Sequence, residues 1–413
     1  MSPLRTIQRL FALLMAALLQ ACGGGGGGAP APASEASRVH NQQTTNAQVS
    51  NWAIGDLNRD GLDDVVIGGW TGIDGVKTTF RILIQNTDGT LTDQTSQWVS
   101  NNLYDGSQRI FIADFDRDGR NDIWLPGFND CTNCAANSVM LWNAGTQFTR
   151  DEFSDGLESH GACVTDLNGD GYLDMVVQGF YVWGRQTSGY YLNNRSNLNR
   201  SFSFVTSSDI MAGAACALTP TPIAGQRAMV QANVNQMPGF SSHIAVLDSA
   251  LNVVNRIGIT SSSTLATDLI GVTSLDMNQD GFDDFVLVFN DYVPGVPGVK
   301  DVWLNDGHNG FAYAYTLDSD TNNQYSIHHT TVAGTRYLMF DAPNGDARLY
   351  KQISNNWAAF GTESFASMAR QLGGRPGVPD WSIGMGAIYT NPQASAIYML
   401  QNVGGVYYTA RLR

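Results

Sequence analysis

Beyond its first forty or so residues the chain alternates short apolar runs with polar, turn-forming clusters, and the alternation itself repeats. A short apolar stretch leads into an acidic string. A second run such as VVIGG at 65–69 follows, then a third such as FRILIQN at 80–86, then a fourth such as TDQTSQWV at 92–99. Runs of this length bounded by Gly, Asn, Asp and Ser predict short strands joined by tight turns. The third run recurs as VMLWNAG, YYLNN, HIAVLDS, DVWLND, ARLYKQI and AIYMLQN, which makes seven units.

Four short strands in about fifty residues form a sheet that cannot bury both faces alone, so the units must stack around an axis. The predicted fold class is all-β: a seven-bladed β-propeller of four-stranded antiparallel blades spanning 39–413. Either the C-terminal YYTARLR supplies the outer strand of the last blade, or residues around 39 to 50 supply it and clasp the ring.

The acidic string is DLNRDGLDD at Asp56 to Asp64. It returns as DFDRDGRND (Asp114 to Asp122), DLNGDGYLD (Asp166 to Asp174) and DMNQDGFDD (Asp276 to Asp284), with starts 58, 52 and 110 residues apart. The last interval is twice the others, so one middle unit has lost the string, and Thr219 stands where its first aspartate is expected. Oxygen side chains at positions 1, 3 and 5 with Gly at 6 open like an EF-hand loop. Position 12, however, is Ile67, Leu125, Val177 or Leu287, inside an apolar run, so the loop joins two strands. The ligand sets expected for a hard divalent cation, Ca²⁺, at four sites are Asp56, Asn58, Asp60 and Asp64; Asp114, Asp116, Asp118 and Asp122; Asp166, Asn168, Asp170 and Asp174; and Asp276, Asn278, Asp280 and Asp284. By analogy with the EF-hand, the position-seven carbonyls of Leu62, Arg120, Tyr172 and Phe282 complete them.

Composition and charge fit this reading. The 43% apolar content and 44 glycines are those of a turn-rich globular chain. The four strings hold 15 of the 37 acidic residues behind a net charge of −14, and no basic stripe marks a nucleic-acid partner.

DxNxDGxxD between two apolar strands, repeated at about 55 residues, resembles the FG-GAP or VCBS repeat of integrin α-chain propellers and of many bacterial surface proteins. The resemblance covers nearly everything after residue 38, with four strong loops and three degenerate units. It implies the propeller and calcium, and no single activity.

The N-terminus is a separate object. Arg5 and Arg9 precede the apolar run Leu10 to Leu19, too short to span a bilayer, and residues 1–21 read as a signal peptide. The run ends in Leu-Gln-Ala-Cys22, which resembles the lipobox of bacterial lipoproteins and implies lipidation at Cys22. Gly23 lacks the aspartate that resembles an inner-membrane retention signal, so an exported, outer-membrane-anchored lipoprotein of a bacterium is expected, on either side of that membrane. Residues 22–38, Gly-rich and then APAPASEAS, form a flexible tether.

In an oxidising compartment Cys131 and Cys134 suit a local disulfide, and Cys163 and Cys216 one between neighbouring inner strands. No short catalytic signature is present. Asp155, Glu158 and His160 make an acid/base cluster only by proximity in sequence, and His328 and His329, adjacent on a strand, face opposite ways. Aromatics after the second strands, Trp70, Phe128, Tyr181, Trp183 and Tyr292, are candidates for a ligand face opposite the acidic loops, where a glycan or protein would bind. The same aromatics also suit wedges between blades. The expected function is a lipid-anchored binding or adhesion module. The alternatives are a polysaccharide lyase or glycosidase, and a structural subunit of an outer-membrane complex.

Overall fold

The computed structural model describes residues 36–412 apart from 41–48, 71–74, 129–135, 158, 180–187, 195–199, 208–209, 211–214, 233–240, 266–267, 291–296, 321–325, 342–345, 365–386, 394–395 and 404–405. The signal peptide, Cys22, Cys131, Cys134, Tyr181, Trp183 and Tyr292 therefore lie outside the described residues, as do the side chains of Trp70, Asp155 and Glu158. Among the described residues no helix is long and apolar enough to cross a membrane.

Six antiparallel four-stranded blades each come from one continuous stretch of chain. The first comprises Val49–Gly55, Asp64–Trp70, Arg81–Gln85 and Leu91–Asp93. The second comprises Phe111–Ala113, Asp122–Leu125, Ala136–Asn143 and Phe148–Leu157. The third comprises Ser159–Thr165, Asp174–Gly179, Gly189–Asn193 and Phe202–Thr206. The fourth comprises Cys216–Leu218, Arg227–Gln231, His243–Leu247 and Val253–Gly258. The fifth comprises Asp268–Leu275, Asp284–Asn290, Gly298–Asn305 and Phe311–Asp320. The sixth comprises Ser326–Val332, Thr335–Asp341, Asp346–Ile353 and Asn356–Ser364.

Seven like units, the expectation from the sequence, are thus not what the strands form. The remaining four-stranded sheet is composite: Ala387–Asn391, Ala396–Val403 and Val406–Leu412, with Ala36–His40 added at its edge. Ala36 pairs with Ala410 and Arg38 with Tyr408. The C-terminal strand is therefore third rather than outermost, and AIYMLQN is second rather than third. The clasp is 36–40, which begins inside the segment expected to be tether, while Val49–Gly55 is already the inner strand of the first blade. Ala387–Asn391 lies beside that inner strand, so the ends of the chain meet in the ring and the outer edge of this sheet is paired.

The core lies between blades rather than within them. Val66, Ile82 and Ile84 of the first blade meet Ile123, Leu125 and Leu141 of the second. Trp124, Met140 and Trp142 of the second meet Met175, Val177 and Tyr191 of the third. Strand alternation sends successive side chains to opposite faces, so every inner blade needs two apolar faces and its strands read as continuous apolar runs. On the composite sheet Tyr389 and Tyr398 stack with centroids 5.3 Å apart and pack against Val65, Ile67 and Leu83. The stretch 92–99 is corrected from a strand: after Asp93 the chain turns into the short helix Thr95–Trp98. Asp93 Oδ1 accepts the Thr95 N–H at 2.9 Å, which draws the chain out of the sheet and turns Trp98 onto Phe148.

Candidate metal centre

The loops 56–64, 114–122, 166–174 and 276–284 each join the first and second strands of a blade, and all four fold alike. Position four takes a positive φ at Arg59, Arg117, Gly169 and Gln279, and position six does so at Gly61, Gly119, Gly171 and Gly281. The two left-handed residues coil the chain so that its N–H groups point at its own carboxylates. Oδ2 of the position-one aspartate accepts the glycine N–H at 2.9 to 3.0 Å in every loop. Oδ1 at position three accepts the N–H of position five. Oδ1 at position five accepts that of position seven. Side-chain oxygens at 1, 3 and 5 are thereby held by Asx turns along one side of the loop.

Position nine has a job beyond the one its spacing suggests. Asp64, Asp122, Asp174 and Asp284 are fully buried. In each, Oδ2 accepts the N–H of position two (Leu57, Phe115, Leu167, Met277) at 2.8 to 3.0 Å. Oδ1 accepts the N–H at the end of the third strand (Gln85, Asn143, Asn193, Asn305) at 2.8 to 2.9 Å. This carboxylate is a backbone clamp tying the loop to the third strand. Burial, with the position-one, -three or -five carboxylates adding repulsion, pushes Asp64 and Asp122 up to about 7 and Asp174 and Asp284 up to about 6, against the lowering effect of those N–H bonds.

The donor set fits a hard cation: in all four loops the side chains at 1, 3 and 5 offer oxygen. In the 114–122 loop carboxyl oxygens of Asp114, Asp116 and Asp122 lie within 4.8 Å of one another, close enough to share an ion. Calcium bound there would supply the positive charge that the crowded carboxylates lack. The chain's own contribution is the coil that aims the oxygens inward.

The clamp extends between blades through carboxamides that the sequence reading passed over. Asn143 Nδ2 donates to the Leu57 carbonyl of the preceding blade and to Asn121 O of its own. Asn193 does the same to Phe115 O and Leu173 O. Gln85 reaches Asp63 O and Thr390 O, and Gln352 reaches Met277 O. The signal was present in the third strands, which carry Asn or Gln at or next to their ends in five of the six continuous blades.

The fourth blade differs as expected, but its register is one residue off the sequence alignment. Leu218 pairs with Met229, so Thr219 lies opposite Ala228, as Gly55 lies opposite Asp64. Pro220 and Ala228, not Thr219 and Arg227, occupy positions one and nine, and the Thr219 hydroxyl accepts the Ala228 N–H at 2.9 Å. The junction between this blade and the third carries a disulfide, Cys163 to Cys216, with Cα atoms 5.6 Å apart.

On the far side of the strands Phe128 is corrected from a ligand-face residue to a core one. It is 1% exposed, edge-on to His160 at 4.5 Å. Burial, with Arg109 nearby, pushes His160 down to about 3, which keeps its ring neutral. Tyr104 bridges both backbone groups of Gly69, donating to its carbonyl at 2.9 Å and accepting its N–H at 2.6 Å. His328 and His329 sit on the strand Ser326–Val332 as adjacent residues.

Residues 56–125 match the FG-GAP-like repeat family. Among curated proteins the chain is similar to cartilage acidic protein 1 of Xenopus tropicalis, 26% identical over 136 residues, which is 30% of this chain and 20% of that protein. It therefore spans about a fifth of that relative's length. Among solved structures it is similar in fold to a chain from the crystal structure of BBS1N in complex with ARL6DN, at TM-score 0.52 and 10% identity over 92% of this chain and 97% of that one. The BP39L lectin from Burkholderia pseudomallei gives TM-score 0.48 and 11% identity over 89% of this chain and 98% of that one. Residues 56–125, the last three strands of the first blade and the first two strands of the second, are thus similar to an FG-GAP-like repeat, within a β-propeller of four-stranded antiparallel blades.

Proposed function

We propose that this propeller is a calcium-stabilised binding module, anchored by a lipid at Cys22 on the outer membrane of a bacterium, that recognises a glycan or a protein. In this reading the ring carries calcium at the loops beginning at Asp56, Asp114, Asp166 and Asp276. One observation supports calcium above the rest: four loops separated in sequence repeat the same coil of inward oxygens, and each surrounds a buried aspartate with further carboxylates. Turns that serve only to reverse a chain need one or two such residues.

Recognition is assigned to the loops that follow the second strands, on the side away from calcium, with Trp70, Trp183, Tyr181 and Tyr292 as contacts. Phe128 plays no part in it. The test is retention of the secreted chain on immobilised bacterial and host polysaccharides and on envelope proteins, with calcium and after chelation. Calcium-dependent retention lost in Trp183→Ala and Tyr292→Ala supports the reading. Retention unchanged by both substitutions would refute the assignment of the face, and release of oligosaccharide fragments would favour an enzyme.

A further inference from the structure

Strand alternation gives the junction between the third and fourth blades a polar end. On the strand Asp174–Gly179, Met175 and Val177 face the second blade, while Val176 joins Tyr190 against Met229, Ala245 and Leu247 of the fourth. Gln178 lies two residues beyond Val176 and so faces the fourth blade as well. From the opposite side Gln231 follows Met229 by two residues and His243 precedes Ala245 by two, so both face the third blade. Cys216, Gln231 and His243 pair in one row across the fourth blade, and the disulfide from Cys216 to Cys163 ties that row to the third. Gln178, Gln231 and His243 all stand at or next to a strand end, on the side away from the acidic loops.

This end is buried, and its hydrogen bonding is incomplete. Gln178 is fully buried, and among the described residues nothing bonds either its Nε2 or its Oε1. His243 Nδ1 lies 3.1 Å from the Ser241 carbonyl oxygen, which can only accept, so Nδ1 carries the proton. Burial above all, helped by Arg256, holds this imidazole below its ordinary pKa, so the ring is neutral. Its Nε2 is then a bare acceptor, and among the described residues no group donates to it. Buried polar groups in folded proteins are as a rule paired, and two incomplete ones at one junction call for a partner from outside the chain.

The chemistry of that partner follows from the free atoms. His243 Nε2 and Gln178 Oε1 each need a donor, and Gln178 Nε2 needs an acceptor. An anion offers no donor, and a metal cation offers nothing to amide N–H groups. A hydroxyl donates and accepts at once, so neighbouring hydroxyls meet the whole set. We propose that this end of the third-to-fourth-blade junction binds a neutral, hydroxyl-bearing ligand, a single sugar unit of a glycan, with Gln178 and His243 as its contacts. This rests on the binding reading given above and narrows it to a glycan. Tyr181 and Trp183 follow Gln178 by three and five residues, so the site stands at the root of a loop assigned to recognition. The disulfide holds the two walls together before any ligand arrives, which lowers the ordering cost of binding.

The test is saturation-transfer NMR of free glucose, galactose and mannose with the calcium-loaded full-length chain, run beside its retention on immobilised polysaccharides and envelope proteins. At least one hexose is expected to receive saturation. Gln178→Leu keeps the volume and removes the amide, and His243→Phe keeps a ring and removes the acceptor. Each should weaken that hexose roughly tenfold, the cost of one hydrogen bond left unmade in a site built for it. Their thermal midpoints should equal or exceed the parent's, because an apolar group replaces one that the ligand-free fold leaves unpaired. Hexose binding unchanged in both variants would overturn this site and leave glycan recognition standing elsewhere on the face. A parent that binds no hexose yet is retained on a polysaccharide or protein, with both variants melting lower, would assign these groups to the fold through bridging water and overturn the site. A parent retained on nothing and binding no hexose would remove the binding reading and this site with it.

Discussion

Asn143 Nδ2 lies 2.8 Å from the carbonyl oxygen of Leu57, 86 residues earlier and on the preceding blade. Asn143 is completely buried, and its other side-chain and N–H bonds are local: Nδ2 to Asn121 O, its N–H to Asp122 Oδ1, and Oδ1 accepting from Gly145 N. One residue thus closes the loop of its own blade and ties that blade to its neighbour. The apolar position-two residue supplies both the N–H for the buried aspartate and the carbonyl for the next blade's amide.

Replacing Asn143 by alanine removes the donor to the Leu57 and Asn121 carbonyls and the acceptor of the Gly145 N–H at once. A loss of about 1–3 kcal/mol is expected, read as a lowered urea midpoint at fixed calcium with unchanged slope. Asn143→Asp should be no better, because a carboxylate would face two carbonyl oxygens. A midpoint equal to the parent's would show that the junction is held by apolar packing alone.

The blades and the acidic loops are legible in the sequence because their signals are local: short continuous apolar runs bounded by turn residues and a fixed Asp/Asn/Gly spacing. What escaped was whatever depends on contact between units. Asp64 and its counterparts read as ligands, and the spacing does not reveal that both of their oxygens also accept backbone N–H groups. Gln85, Asn143 and Asn193 stand at the ends of third runs, and nothing local to them shows that their amides reach a neighbouring sheet. Thr219 was placed one residue out of register because only the strand pairing of Leu218 with Met229 fixes position. Phe128 follows a strand as a surface aromatic would, yet the neighbouring inner strand brings His160 over it.

The disulfide should matter most where acidic loops are missing. Cys163 and Cys216 join the third and fourth blades across 53 residues, and the fourth blade has Pro220 and Ala228 where others have aspartates. Cys163→Ser with Cys216→Ser is expected to cost about 2–4 kcal/mol, seen as a lower thermal midpoint in saturating calcium. Alkylation of the unreduced, unfolded chain should leave both cysteines unlabelled. Labelling at Cys163 or Cys216 without reductant would remove this link.

A buried cation between the fifth and sixth blades gives a further test. Lys300 is 1% exposed, with Nζ 3.6 Å from Asp318 and 5.4 Å from the Phe340 ring centroid. Lys300→Ala removes both the charge and the packed stem, and a loss of about 3 kcal/mol is expected. Lys300→Met keeps the stem and should recover a good part of it. Equal losses in the two variants would assign the whole effect to the charge.

The buried aspartates set the direction of the pH response. In the unfolded chain their carboxyls titrate near 3.8, and in the fold burial raises Asp64 and Asp122 to about 7 and Asp174 and Asp284 to about 6. Between those values the folded state holds protons that the unfolded chain has released. Their contribution to stability is therefore present in full below the unfolded value and lost as pH rises through 6 to 7. Chelated protein should melt at a lower temperature at about pH 8 than at about pH 5, the working pH values on either side of that window. Calcium opposes the loss, because a divalent ion favours the ionised carboxylates that repel one another without it. The rise in melting temperature on adding calcium should consequently be large at the higher pH and small at the lower. Asp64→Asn and Asp122→Asn each remove one titrating group and should flatten the chelated profile, at the cost of setting an amide against backbone N–H donors. A chelated protein whose stability rises steadily from about pH 5 to about pH 8 would show that these four carboxyls stay ionised in the fold and that calcium does not govern their charge.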